Sequence, residues 1–369
     1  MASKLSQLDE DLGDVLFTLA QHTEARTRFR QALGTRPESS ALERGRLWRK
    51  LGASCLTLYE YDEVSTALDE AEKALGSIRD PDVSAIRELI EVKLKWAGRL
   101  YFSQAEGSRI DAVLEELRRL VDERGTDTQR STYYVLASNR ALLRQRFAYS
   151  PEATQLAERA IETSQALTAE EKASARLACG FSMLFGPVAL CPSALDHLNV
   201  AATEAEAALW TTLSARVATY RTVALLRMGD VEATRAAADR TLALAEAAQQ
   251  APYIGVAHAC RGWVAWRTGE PDARRLLEQA RGIWLSHPHP FASRWIASLP
   301  LLDIALARDA FEHCRVYLDD LLAAGQLALP GELAELVRRA SASCERDEPR
   351  VAAASTEAVV RLARELGYC

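Results

Sequence analysis

The sequence lacks any long apolar run, and none approaches the roughly 20 consecutive apolar residues that a membrane-spanning helix needs. Its start, MASKLSQLDEDLGD, is acidic and has no apolar run behind a basic segment, which argues against a secretory signal. Strand patterns are nearly absent, because β-branched residues do not alternate with polar ones between turns. These absences predict a helical protein in the cytoplasm, with no membrane partner.

Paired cysteines and a basic surface are missing too. The seven cysteines are scattered and form no C-x-x-C pair, so we expect free thiols. The 45 basic and 51 acidic residues give a net charge of −6. Nucleic-acid binding requires a basic surface that neutralises phosphates, so this balance argues against a nucleic-acid partner.

Motifs that carry chemistry are also absent. The sequence has no Gly-Lys pair for a phosphate-binding loop, no H-E-x-x-H and no G-x-S-x-G. The segment His287-Pro288-His289-Pro290 suits either a weak metal site or a proline-rich turn, and the pattern favours the turn. We therefore predict no catalytic residue, no metal and no cofactor, and we expect that the protein is not an enzyme.

Apolar residues spaced three and four apart recur along the whole chain, and this spacing predicts helices of about 12–20 residues. Ser40 with Glu43, and Thr168 with Glu171, have the capping-box spacing of a helix start. The helices pair into about nine hairpins of roughly 40 residues. Within 193–228 no glycine or proline marks a boundary, so a break near Ala207 and a single longer helix are both open, and we place a break there.

The first two hairpins carry the pattern W-x₂-L-G-x₂-Y, A-x₃-F and a closing proline, which belongs to the tetratricopeptide repeat. The matching positions are Leu12, Gly13, Leu16, Ala25, Phe29, Ala32 and Pro37, and then Trp48, Leu51, Gly52, Val64, Leu68 and Ala71. Asp9 and Cys55 replace the two aromatic positions. The glycines and alanines of the repeat let helices approach closely, while Phe29 and Leu68 fill the space between repeats. The chain thus resembles the tetratricopeptide-repeat family.

This resemblance implies an all-α fold, a right-handed solenoid of about nine tetratricopeptide-like hairpins. Because no linker interrupts the pattern, we expect residues 1–369 to form one continuous helical-repeat domain.

A second resemblance concerns the later part of the chain. The segments RGWVAWRTG at 261–269, PLL at 300–302, LPGEL at 329–333 and LARELGY at 362–368 resemble the C-terminal helical-repeat region of bacterial signalling ATPases fused to adenylate/guanylate cyclase or transcription-activator domains. The resemblance implies a bacterial regulatory module, either stand-alone or excised from a larger ATPase, and it supplies no catalytic residue.

The expected function is protein interaction, with a protein or peptide bound in a concave groove lined by the first helix of each hairpin. The alternative is a sensor that binds a small molecule or signal peptide in the same groove. The repeat register places six side chains on that groove: Arg46, Arg49, Tyr134, Asn139, Arg216 and His258. Arginine and tyrosine are enriched at binding hot spots, although each of these residues is also a common surface residue.

Overall fold

The structure is a computed structural model that describes residues 2–101, 107–287, 291–308, 310–346 and 349–369. Over these residues all regular secondary structure is helical, with no strand, so the all-α prediction is confirmed. Among the described helices, none combines the length and the hydropathy needed to cross a membrane. Pro288, His289 and Pro290 of the predicted histidine–proline turn lie outside the described residues.

The described segments contain eighteen α-helices, and each odd-numbered helix is followed in the chain by its even-numbered partner. We call the odd-numbered members first helices and the even-numbered members second helices. The helices are α1 Ala2–Thr18, α2 His22–Thr35, α3 Ala41–Thr57, α4 Tyr61–Gly76, α5 Val83–Tyr101, α6 Gly107–Arg124, α7 Asp127–Arg144, α8 Pro151–Ser164, α9 Ala169–Leu184, α10 Cys191–Ala207, α11 Thr211–Arg227, α12 Val231–Ala247, α13 Ala251–Thr268, α14 Ala273–Ser286, α15 Trp295–Leu306, α16 Phe311–Leu322, α17 Gly331–Glu345 and α18 Pro349–Glu365.

The chain divides into two compact units. Unit 1 comprises Met1–Arg140, Leu156–Ala175 and Ala207–Thr211, and unit 2 comprises Ala141–Gln155, Arg176–Glu206 and Thr212–Cys369. The single continuous domain over 1–369 therefore stays a prediction.

Unit 1 is held together by the apolar faces of its helices. Phe29, Leu47, Leu68, Ile90 and Leu117 are fully buried in one hydrophobic cluster. Helices α1 and α2, α3 and α4, and α5 and α6 pack as pairs, while α3 also packs on the next first helix, α5. Successive hairpins of this unit therefore share a core, as stacked repeats require.

The repeat glycines set the distance between the two helices of a hairpin. A Cβ atom on Gly13 would lie 2.5 Å from Cε1 of Phe29, and one on Gly52 would lie 3.3 Å from Cδ2 of Leu68. These are the pairs that the tetratricopeptide pattern matches, so the register of the first two repeats is confirmed.

Unit 2 has a tryptophan-rich core. Trp263, Trp284 and Trp295 are at most 1% exposed, and Trp284 donates its indole N–H to the carbonyl of Pro252 at 3.0 Å. The spacing of these tryptophans fits core packing rather than a ligand cage, and their burial agrees with that interpretation. Helices α13 to α18 pack on their chain neighbours, and α18 also packs on the first helix α15.

The break within 193–228 lies where the sequence analysis placed it: α10 ends at Ala207 and α11 begins at Thr211. Leu209 forms the turn with a φ of 54° and is 80% exposed. A residue in the left-handed conformation can end a helix even when it is not glycine. The break is therefore not marked by a glycine or proline in the sequence.

One of the two predicted capping boxes is present. The backbone amide of Thr168 donates to Glu171 Oε2 at 3.1 Å ahead of α9. Ser40 directly precedes α3, so the predicted helix start is confirmed, but its side chain makes no capping hydrogen bond.

Candidate functional site

The first helices of unit 1 present a continuous row of charged and polar side chains. We call this row the ionic face, and its members are Glu10 and Asp14 on α1, Arg46, Arg49 and Lys50 on α3, Glu88, Glu91 and Lys95 on α5, Gln129 on α7 and Glu170 on α9.

A shared carboxylate joins α1 to α3. Glu10 is 2% exposed, and its Oε1 accepts hydrogen bonds from Arg46 Nε at 2.8 Å and Lys50 Nζ at 2.7 Å. Lys50 also donates to Asp14 Oδ2 at 2.7 Å. Burial by itself would raise the pKa of Glu10, but the hydrogen bonds from Lys50 and Arg46 outweigh it, and the net pKa is lowered.

Polar contacts continue from α3 to α7. Arg49 pairs with Glu88 on α5, and both side chains are largely buried. Gln129 on α7 donates its side-chain amide to Glu91 Oε1 at 3.0 Å and to the carbonyl of Arg87 at 2.9 Å. The ionic face is thus a chain of contacts from one first helix to the next, across successive hairpins.

Lys95 and Glu170 are the least compensated charges of this face. Neither side chain has an ion pair or hydrogen bond among the described residues. Desolvation lowers the pKa of Lys95 although Glu91 and Glu170 oppose it, and desolvation together with Glu171 raises the pKa of Glu170. Lys95 is nevertheless half-buried and Glu170 exposed. Both groups are thus within reach of solvent while their charged forms are disfavoured by the protein around them.

Two of the predicted groove residues, Arg46 and Arg49, lie on the ionic face. Tyr134 packs differently. The guanidinium of Arg159, on second helix α8, lies 4.5 Å from the centre of the Tyr134 ring. Tyr134 therefore packs between a first and a second helix. Asn139 is half-buried on α7. The binding roles of Tyr134 and Asn139 stay predictions.

The two predicted residues of unit 2 lie on first helices. Arg216 is half-buried on α11. His258 on α13 has its Nε2 3.2 Å from the side-chain amide of Gln279 on second helix α14. Burial, and then the charge of Arg261, lowers the pKa of His258, so its imidazole is neutral at neutral pH. Their roles in binding also stay predictions.

Unit 2 carries an aromatic row where unit 1 carries charges. The ring of Phe181 on α9 lies 4.6 Å from Tyr220 on α11, which lies 6.4 Å from Tyr253 on α13. Phe291, just ahead of α15, follows at 5.9 Å, and Phe147 precedes Phe181 at 6.3 Å. The row runs from first helix to first helix, and sequence analysis missed it because its members are more than 30 residues apart.

A buried arginine ties the end of α18 to α11. Arg227, the last residue of α11, is 2% exposed. It donates to the carbonyl of Leu184 and, at 2.8 Å, to the carbonyl of Gly186. It also donates to the carbonyls of Leu366 at 3.2 Å and Gly367 at 3.4 Å.

The residues after α18 lie against other first helices as well. The ring of Tyr368 lies 4.5 Å from the Arg227 guanidinium and 5.2 Å from the ring of Trp295 on α15. Tyr368 is 3% exposed, and burial raises its pKa. Gly367 has a φ of 70°, and a Cβ atom there would lie 2.7 Å from the carbonyl oxygen of Arg227. We call residues 366–369 the docked segment.

One cluster of unit 1 has ligand-like spacing. The Cys55 sulfur and carboxylate oxygens of Glu60 and Glu63 lie within 4.8 Å of one another. Burial, and then the charge of Glu63, raises the pKa of Cys55 to about 12, so the thiol stays protonated at neutral pH. Arg26 pairs with Glu60, and its guanidinium supplies the positive charge for this cluster.

No protein-family model matches the sequence, and no curated protein matches it either. Solved structures do match. A Rap protein complexed with Competence and Sporulation Factor is 14% identical, with a TM-score of 0.59, over 89% of this chain and 99% of that one. The apo form of RapI is 10% identical, with a TM-score of 0.55, over 87% of this chain and 98% of that one. At this identity the likeness shows the fold, a tetratricopeptide-like helical repeat.

Proposed function

We propose that this chain is a non-catalytic regulatory module that binds a peptide or a segment of a partner protein on the ionic face of unit 1. The observation that carries the proposal is the pair Lys95 and Glu170, two poorly compensated charges that solvent can reach on the first helices of unit 1. An extended peptide can carry acidic and basic side chains along its length, and the ionic face offers a partner of opposite charge for both kinds.

The structural neighbours support the proposal. One Rap protein was solved in complex with a named factor, so a chain of this fold holds a bound partner in that case. A polar face suits a charged ligand, because a bound peptide can replace the ion pairs of the ionic face with its own hydrogen bonds. When the peptide leaves, the ion pairs form again and no apolar surface is exposed to water.

A module of bacterial signalling ATPases, linked to cyclase or activator domains, would bind its signal on such a face and act from the cytoplasm. A sensor for a small molecule is the second candidate, and the aromatic row of unit 2 favours it, since ring faces suit a planar ligand.

Peptide panning with isothermal titration calorimetry tests the proposal. The full chain is panned against synthetic peptides of mixed charge, and the strongest binder is titrated into wild type, Lys95→Met and Lys73→Met. Lys73 is the matched control, because it is 77% exposed on second helix α4 and pairs with Glu70 of the same helix.

We expect Lys95→Met to weaken binding at least tenfold, about 1.4 kcal/mol, and Lys73→Met to leave it unchanged. Arg49→Ala should weaken peptide binding similarly. Glu88 loses its partner Arg49 in that variant and then competes with the carboxylates of the peptide for the cations that remain. Equal affinity for all variants, or a peptide pool without any binder, would overturn the proposal. A metabolite that raises the melting temperature without any peptide would instead support the sensor.

A further inference from the structure

The docked segment contacts first helices. Its contacts are Arg227 at the end of α11 and Trp295 at the start of α15, and Arg227 also donates to the carbonyl of Gly186, just after α9. Just before the segment, Arg364 donates to Asp303 on α15 at 2.9 Å, and its guanidinium lies 4.9 Å from the ring of Trp266 on α13. Residues 364–369 thus contact three first helices of unit 2, α11, α13 and α15, and first helices line the surface that a bound peptide uses in a helical repeat.

The chemistry of the contact is that of peptide recognition. A guanidinium donates to two successive backbone carbonyls, those of Leu366 and Gly367, and stacks on the next aromatic ring, that of Tyr368. Backbone carbonyls and one aromatic side chain are what any peptide of matching sequence offers. The backbone amides of Leu366 and Tyr368 donate to the carbonyls of Leu362 and Ala363 at 3.0 and 2.8 Å, so a peptide that replaces the segment must carry this last turn of α18 as well.

The docked segment satisfies its site incompletely. Among the described residues no carboxylate pairs with Arg227, so carbonyl dipoles and the Tyr368 ring compensate its buried charge. The indole N–H of Trp295, whose ring Tyr368 contacts, has no acceptor in the described part of the chain. A buried donor without a partner is unfavourable, so a ligand that supplies an acceptor replaces the segment with a net gain.

We propose that residues 366–369 occupy in cis a second peptide site, formed by Trp295 and by Arg227, which the carbonyls of the 184–186 turn hold in place, and that an external peptide with a glycine–aromatic pair displaces them. The inference rests on the proposed function, in that first helices bind peptides, but it concerns unit 2 and different residues. The segment is then an internal competitor that sets how much external peptide is needed to fill the site.

Thiol labelling of the intact chain tests displacement directly. Cys369 is 5% exposed, and burial raises the pKa of its thiol to about 12, so it reacts slowly while the segment is docked. The probe is the acetylated, amidated peptide LARELGY, a copy of residues 362–368. The control peptide is its Tyr368→Ala analogue. Iodoacetamide labelling of each cysteine is followed by peptide mass analysis.

We expect LARELGY to raise the labelling rate of Cys369 at least threefold and the alanine analogue to leave it unchanged. Cys344 on α17 is half-buried and serves as the internal reference, whose labelling should not respond to either peptide. An equal response of Cys344 and Cys369 would indicate general loosening and would contradict displacement.

A second measurement removes the competitor. Fluorescent LARELGY should bind the full-length Tyr368→Ala variant at least tenfold more tightly than wild type, and the added change Arg227→Lys should abolish that gain. Circular dichroism confirms that both variants are folded. If LARELGY neither exposes Cys369 nor binds Tyr368→Ala, the docked segment is a structural end of α18 and the inference falls. The Lys95→Met result is independent of that outcome, so the two failures are distinguishable.

Discussion

The first helices of the two units carry opposite kinds of surface. In unit 1 they present charges that pair with one another and remain partly open to solvent, as Arg46 and Lys50 do. In unit 2 they present aromatic rings and a buried arginine, and a segment of the chain itself is docked on them. The first helices of one chain therefore carry two different surface chemistries, an ionic one in unit 1 and an aromatic one in unit 2.

The polar groups of the two units also differ in how much free energy of unfolding is lost when one of them is removed. Partly exposed ion pairs contribute little to stability, because water and neighbouring charges replace a missing partner. A buried guanidinium that satisfies several carbonyls has no such replacement.

The largest expected effect is that of Arg227→Met. It leaves up to four carbonyls without their donor, and we expect the free energy of unfolding to fall by about 3–5 kcal/mol. Arg46→Met is the matched change on the ionic face, where Lys50 still pairs with Glu10, and it should cost less than about 1 kcal/mol. Urea unfolding followed by circular dichroism measures both. Similar losses for the two variants would remove the contrast between the units.

An intermediate effect is expected from Gly52→Leu. The new side chain would meet Leu68 and Ala67, so we expect a loss of about 1–3 kcal/mol from overpacking. Gly34→Leu on α2 is the control, because a Cβ atom there meets nothing within 4 Å. A wild-type melting temperature for Gly52→Leu would show that packing beneath the ionic face does not hold unit 1 together.

The smallest effect concerns acid. The folded-state pKa of Glu10 is lowered from its ordinary value of 4.5, so its stabilisation is present above that pH and is lost as the pH falls through the lowered pKa. We expect wild type to lose about 1 kcal/mol more than Glu10→Gln between pH 5 and pH 3. Urea midpoints at several pH values give the two slopes. Parallel slopes would mean that Glu10 contributes no pH-dependent stability.

Much of the fold could be predicted because its determinants are local. The spacing of apolar residues gave the helices, and the pairs Gly13 with Phe29 and Gly52 with Leu68 lie within single hairpins. The helix ends are less visible. Positive φ values of 54–62° occur at turns between helices, at Ala20, Tyr59, Leu209 and Gln249. These residue types do not favour the left-handed conformation, so the sequence does not indicate these turns.

The candidate sites were predictable only in part. Arg46 and Arg49 follow from the repeat register, which is a local property. Arg227 was missed, because its partners Leu366 and Gly367 lie about 140 positions away along the chain. Lys95 was missed for a related reason: its poor compensation depends on carboxylates of other helices, and no spacing along the sequence reports it.

Gly367 also makes the docked segment traceable through evolution. Its left-handed backbone and its closeness to Arg227 exclude any side chain, so a relative that keeps the docking must keep this glycine. Drift to alanine at this position would mark a lineage in which the segment no longer docks, whatever its overall identity to this chain. Joint retention of glycine here, of the aromatic residue after it and of arginine at the end of α11 is thus a three-position signature for sorting relatives by whether they carry an internal competitor.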